Sequence, residues 1–187
     1  MEKYHENKNL SFIESPKWYI EHGTVQLFYS NSIYKDSFYN NQIYPIHHFE
    51  NHVRYDKMIY YEIVEKVKHN SQSSKVAIAG CSFRDYHAAN FACRHPWYLS
   101  HLFSMSDTST INSFLDGFHY DNVFYSSPND YLYGLEDSKL WKIDIVLSAS
   151  NWDICFDANL KLSKVWSERN VHYWFYIRQA KIHDKPL

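Results

Sequence analysis

Lys75-Val76-Ala77-Ile78-Ala79-Gly80 is a short, nearly continuous apolar run, and the way it hands over to a helical pattern constrains the chain more than any other feature. A run of this kind is the mark of a strand covered on both faces. The helical pattern that follows spans residues 84–94 and is closed by Pro96. The same arrangement recurs downstream. Leu99 to Met105 reads as a strand, and Ile143-Asp144-Ile145-Val146-Leu147-Ser148 as a further buried one. Residues 157–170 read as an amphipathic helix with Leu160, Leu162 and Val165 inward, and residues 172–177 as the last strand. Strands alternating with helices of crossover length predict an α/β fold, a mostly parallel sheet with helices on both faces.

Upstream, residues 9–22 predict a helix that Gly23 stops. Val25, Leu27 and Phe28 predict a buried strand ending near Ser30. A polar loop over residues 31–45 leads to a long helix over residues 48–69, where Tyr55, Met58, Ile59, Ile63, Val64 and Val67 recur on one face. Ser71 to Ser74 make a turn, and short helical pieces are expected around residues 110–115. No repeat, low-complexity tract or linker interrupts the pattern, so residues 1–187 are expected to form a single domain.

Composition removes several function classes. A formal net charge of −2, with basic residues scattered along the chain, gives no electrostatic footprint for nucleic acid. Three cysteines, an odd number without CxxC spacing, suit neither a disulfide framework nor a zinc site. Cys81 and Cys155 lie within apolar runs and are expected to be buried thiols. No apolar stretch approaches the roughly 20 residues that cross a bilayer, and Met1 to Leu10 is polar and charged. The expectation is a reduced, cytoplasmic protein with no membrane partner. The four glycines, at 23, 80, 117 and 134, are too far apart for a phosphate-binding loop, so no cofactor is expected.

Gly80-Cys81-Ser82-Phe83-Arg84 falls where the buried strand meets the helix. A nucleophile elbow demands that context: a tight strand-to-helix turn that lifts a serine hydroxyl above the sheet edge. Such a serine needs a base to take its proton and a carboxylate to orient the base. Asp153, after the strand ending near Ala149, and His183, beyond the last strand, supply both in the order serine, acid, histidine. Both lie past the C-terminal ends of strands, where open α/β sheets place their sites. Each residue also has a plainer reading. Ser82 is a good helix N-cap, Asp153 a helix cap or solvated loop residue, and Asp157 a competing acid. Arg84 suits a solvated helix start better than a substrate contact. His48 and His52, four apart on a helix, have no carboxylate to complete a metal set, so no metal is expected. His87 and His95, which flank the elbow helix, are expected to make packing hydrogen bonds.

Ser82 through Pro96, Ser-Phe-Arg-Asp-Tyr-His-Ala-Ala-Asn-Phe-Ala-Cys-Arg-His-Pro, closely resembles the nucleophile segment of bacterial esterase-family proteins of the α/β-hydrolase superfamily. That segment usually reads G-C-S-F-G-A-Y-H-A-x-N-F-A-x-R-H-P. Ser37-Phe38-Tyr39-Asn40 with Pro45, His52 and Tyr55 is similar to the family's S-x-Y-N…P…H-x-x-Y stretch. Phe114-Leu115-Asp116-Gly117 through Asp130-Tyr131-Leu132 resembles its F-L-x-G-Y…P-x-D-Y-L segment. Trp152-Asp153-Ile154-Cys155 and His183-Asp184-Lys185-Pro186 resemble its W-D-I-C and H-D-W-P motifs. The blocks keep the family's order from about His22 onward. The resemblance implies Ser82 as nucleophile, Asp153 as orienting acid and His183 as base. It also implies the amide of Phe83 as an oxyanion donor, because that donor follows the nucleophile.

Three departures qualify what the resemblance implies. Arg84 stands where the family has the glycine that lets the helix start close against the strand, so its side chain must point outward or push the elbow apart. Family members carry early strands and a glycine-rich loop with a second oxyanion donor, and Met1 falls about where that loop ends. Loss of one such donor lowers turnover on the order of 10²–10³. Leu187 follows His183 closely, leaving no room for the helix that ordinarily supports the histidine loop. Two readings result: a serine esterase acting on a small carboxylic ester or thioester, and a catalytically impaired or non-catalytic hydrolase-like protein. A shortened sheet exposes an edge strand, which invites pairing into a homo-oligomer.

Overall fold

The computed structural model describes residues 16–30, 33, 40, 42–71, 73–106, 124, 126–134 and 142–179. The expected helical pieces around residues 110–115 lie outside them. The chain divides into two compact units, Met1–Asn31 and Ser32–Leu187. In the first, helix α1 (Lys17–Glu21) ends as expected at Gly23. Gly23 adopts φ 68°, and the amides of Gly23 and Thr24 return to the carbonyls of Ile20 and Tyr19, the double closure that a left-handed residue permits. The buried strand expected over residues 24–30 does not form. Val25, Leu27 and Phe28 are exposed, and the segment belongs to no ladder. An apolar run becomes a strand only where a partner satisfies its backbone.

In the second unit the expected long helix is continuous from 45 to 71. Helix α2 (Pro45–Met58) opens on a proline, whose missing N–H has no intrahelical role at that position. One π-helical segment (Ile59–Val64) follows, and then α3 (Glu65–Ser71). Strand β1 (Val76–Cys81) leads into α4 (Phe83–Arg94), and β2 (Leu99–Met105) follows. A short turn of helix, α5 (Pro128–Tyr131), precedes β3 (Asp144–Ser150). Helix α6 (Phe156–Glu168) then returns the chain to β4 (Trp174–Arg178). Among the described residues four strands form a parallel sheet in the order β1-β2-β3-β4, as the alternation predicts.

Register divides the sheet into two faces with different surroundings. Leu102, Ser104, Ile145, Leu147 and Ala149 point to one side and are buried, beneath α4 and α6. There Ala88, Ala92, Leu162, Val165 and Trp166 complete the core. The alternate residues point the other way. Ala77 pairs with His101, and Ala79 with Phe103. Phe103 pairs in turn with Val146, Val146 with Trp174, and Ser148 with Tyr176. Ala77, Ala79, His101, Phe103, Trp174 and Tyr176 are all exposed. The expectation that the run at residues 75–80 is covered on both faces is therefore met on one. Small alanines give the same uninterrupted apolar pattern whether or not anything covers them. Helix α6 is also rotated from its expected phase: Leu162 and Val165 are inward, but Leu160 is 40% exposed and Asn159 is fully buried. Asn159 is accommodated because its Nδ2 donates to the carbonyl of Cys155 at 2.7 Å. Beyond α6, Asn170 takes φ 53° and closes the helix in the same double manner as Gly23.

Candidate active site

The corner between β1 and α4 is built on Gly80. A Cβ there would stand 2.5 Å from the backbone carbonyl oxygen of Arg84 and 2.6 Å from the Cα of Asp85, so only glycine lets the helix start this close to the strand. Ser82 lies at the turn itself, with φ 57° and ψ −134°. Non-glycine residues rarely adopt this backbone, and holding one there costs on the order of 1–3 kcal/mol that the surroundings must over-determine. Its amide donates to the carbonyl of Met105 at 2.9 Å, continuing the β1–β2 ladder past the strand end. The side chain is exposed and makes no capping hydrogen bond to α4, which removes the N-cap reading. Phe83 is the first residue of α4, so its amide has no acceptor within the helix. Arg84 is exposed. Of its two options it takes the outward one, and the tight approach at Gly80 persists.

The C-terminal edge of the sheet collects the other polar positions. Ser106 follows β2 with φ 61° and donates its amide to Ser148 at 2.8 Å. After β3 the chain turns through Asn151 to Asp153, with the amide of Asn151 on the carbonyl of Arg178 at 3.1 Å. Asp153 is half-buried. Its Oδ1 accepts from the amide of Cys155 at 3.0 Å, and its carbonyl accepts from Phe156 at 3.0 Å, which fixes the carboxyl group at the mouth of α6. Asp157, the competing acid, is an exposed residue of the first turn of α6. His183 lies outside the described residues.

Cys81, the residue before Ser82, feels both Arg84 and Asp153. Partial desolvation pushes its thiol up, the Arg84 guanidinium opposes this, and the Asp153 carboxylate adds to it. The charge of Asp153 is thus felt at the residue before Ser82. Cys81 is exposed and Cys155 half-buried, whereas Cys93 is buried. The expectation of buried thiols at 81 and 155 is corrected, because Cys81 points to the open face of the sheet.

Beside the elbow helix, histidines pack against one another. His52 stacks on His87 with ring centroids 4.7 Å apart, and His48 Nε2 bonds the carbonyl of Ile43 at 2.9 Å. Burial, with His87 and His48 nearby, holds His52 down at about 2. Burial likewise lowers His87 to about 3, against the opposing pull of Asp56. Among the described residues no group of three His, Cys, Asp or Glu side chains could hold a metal ion. His95 Nε2 meets Asp56 Oδ2 at 3.1 Å, and Arg94 approaches the same oxygen at 3.5 Å. One feature escaped sequence reasoning. Asp85, in the first turn of α4, is fully buried, and Ser104 Oγ on β2 donates to its Oδ2 at 3.0 Å. The signal was available, since the resembling segment has alanine at that place.

No protein-family model matches the chain, and no curated protein does. Solved structures do. A ferulic acid esterase superposes with a TM-score of 0.55 at 18% identity, covering 66% of this chain and 52% of that one. An S-formylglutathione hydrolase from Staphylococcus aureus gives 0.47 at 18% identity, covering 69% and 57%. The chain spans little more than half the length of either. At this identity the likeness concerns the fold, which is that of the α/β-hydrolases. Among the described residues no helix is long and apolar enough to cross a membrane.

Proposed function

We propose that the chain is a serine hydrolase of the esterase type, acting on a small carboxylic ester or thioester through an acyl-enzyme on Ser82. The backbone of Ser82 is the observation that carries this reading: a strained, exposed serine at a strand-to-helix corner whose glycine cannot be replaced. In this reading Ser82 Oγ attacks the carbonyl carbon while the imidazole of His183 takes its proton. The amide of Phe83 stabilises the oxyanion. Collapse of the tetrahedral intermediate expels the alcohol or thiol, which leaves with the proton from His183. Water, activated by the same imidazole, then hydrolyses the acyl group and regenerates the serine. Asp153 orients His183 with the carboxyl oxygen not held by Cys155.

Chain length allows this. Three strand spacings, about 14 Å, separate β4 from β1. The segment 179–183 can reach about 17 Å when extended. A formal net charge of −2 and the cysteine pattern favour a small-molecule substrate in a reducing, cytoplasmic setting.

A fluorophosphonate probe, which reacts only with an activated serine, tests the proposal. Labelling of the wild type, abolished in Ser82→Ala and reduced about 10⁴-fold or more in His183→Ala, is the expected result. A wild type that takes up no probe defeats the esterase reading and leaves a non-catalytic hydrolase-like protein in its place.

A further inference from the structure

Asp85 is a polar group that the proposed triad does not use. It is fully buried, where a carboxyl group is unfavourable unless hydrogen-bonded. Ser104, which donates to its Oδ2 at 3.0 Å, is fully buried as well. The amide of Asp85 donates to the carbonyl of Ser82 at 2.8 Å. Its Cα lies 2.6 Å from the position a Cβ on Gly80 would take. One residue therefore touches every wall of the corner: the end of β1, the turn that holds Ser82, and β2.

The location matters because Ser82 cannot keep its backbone unaided. The resembling segment has glycine and alanine after the Ser-Phe pair, and this chain has Arg84 and Asp85. Arg84 takes away conformational freedom at the start of α4. Asp85 adds a hydrogen bond between that same turn and the neighbouring strand. A hydroxyl–carboxyl bond between two groups sealed from water restricts the turn more than an alanine contact can.

We propose that Asp85 is a positioning residue: through Ser104 it locks the first turn of α4 onto β2 and so holds Ser82 in the conformation that presents its hydroxyl. The catalytic meaning of this lock rests on the esterase reading; its structural meaning does not. Asp85 touches no reacting atom. The lock requires an acceptor at this position, and the charge is secondary.

The test compares Asp85→Ala, Asp85→Asn and Ser104→Ala in the full chain, by the rate of fluorophosphonate labelling and by hydrogen exchange at the amides of Ser82 and Asp85. Asp85→Ala and Ser104→Ala are expected to slow labelling about 10- to 100-fold, the scale set by a small misplacement of a reacting group. The double variant is expected to be no slower than the worse single one, because both remove the same bond. Asp85→Asn, whose amide oxygen still accepts from Ser104, is expected to stay within about threefold of wild type. Exchange at the two amides should quicken about tenfold in the variants that break the bond and not in the asparagine variant. Labelling of Asp85→Ala at the wild-type rate overturns the proposal. An asparagine variant as impaired as the alanine one overturns it too, since charge and not acceptance would then be at work. If the wild type takes up no probe, the esterase reading fails by itself, and the exchange comparison alone decides whether the lock exists. Should Asp85→Ala not fold, Ser104→Ala against Asp85→Asn makes the same comparison.

Discussion

Trp166 and Trp174 are separated by a few residues of chain and lie on opposite sides of one sheet. Trp166, on α6, is fully buried against the inner face; Trp174, on β4, is 63% exposed on the outer one. Inner positions are sealed by two helices and by Tyr131, whose hydroxyl donates to Asn90 Oδ1 at 3.1 Å. Outer positions present Phe103, Trp174 and Tyr176 to solvent, with His101 stacked parallel to Phe103 at 6.0 Å. Parallel sheets are ordinarily covered on both sides. Here α4 packs on the covered side, and the opposite side contributes backbone ladders and little packing.

Truncating the same residue type on each face tests this difference directly. Trp166→Ala is expected to cost about 3–5 kcal/mol in urea unfolding, and Trp174→Ala less than about 1 kcal/mol. Equal losses would show that the outer face is packed in solution. A glycine pair sharpens the contrast at the elbow. Gly80→Ala should cost about 1–3 kcal/mol and abolish probe labelling, because backbone atoms must shift. Gly134→Ala, with nothing within 4 Å of the new methyl, should change neither.

A more gradual effect is expected from acid. His52 and His87 are held neutral in the fold, at about 2 and about 3, below the ordinary 6.5. Between those values the unfolded chain binds protons that the native state refuses, so stability falls as pH drops below 6.5 and is unaffected above it. The slope is on the order of 1 kcal/mol per pH unit for each ring. His52→Gln should flatten the profile measured by thermal unfolding between pH 6.5 and 4. The smallest effect is expected on the outer face. Tyr176→Lys should shift stability by less than about 0.5 kcal/mol while lowering the binding of an apolar dye such as anilinonaphthalene sulfonate.

The sheet was legible because each strand is a short apolar run bounded by polar or turn residues; Leu99–Met105 is found with the predicted limits. The elbow was legible because glycine, serine and a strand-to-helix change coincide within a few residues. What covers a strand was not legible. Ala77 and Ala79 read as interior, and Val25, Leu27 and Phe28 read as a strand, because hydrophobicity records what a residue tolerates and not which partner it meets. Leu160 reads as inward on period alone, since an asparagine satisfied by its own helix, Asn159, looks polar in sequence and behaves as core. Asp85 is hard to read in sequence for a related reason: its partner Ser104 is distant in the chain, and only the β1–β2 register brings them together.

Helix α4 is gripped at its far end as well as at the elbow. Asp56, on α2, holds both Arg94 and His95 there. A rod pinned at both tips can neither slide along its axis nor roll about it. A shift of α2 therefore acts on α4 at the tip opposite Ser82.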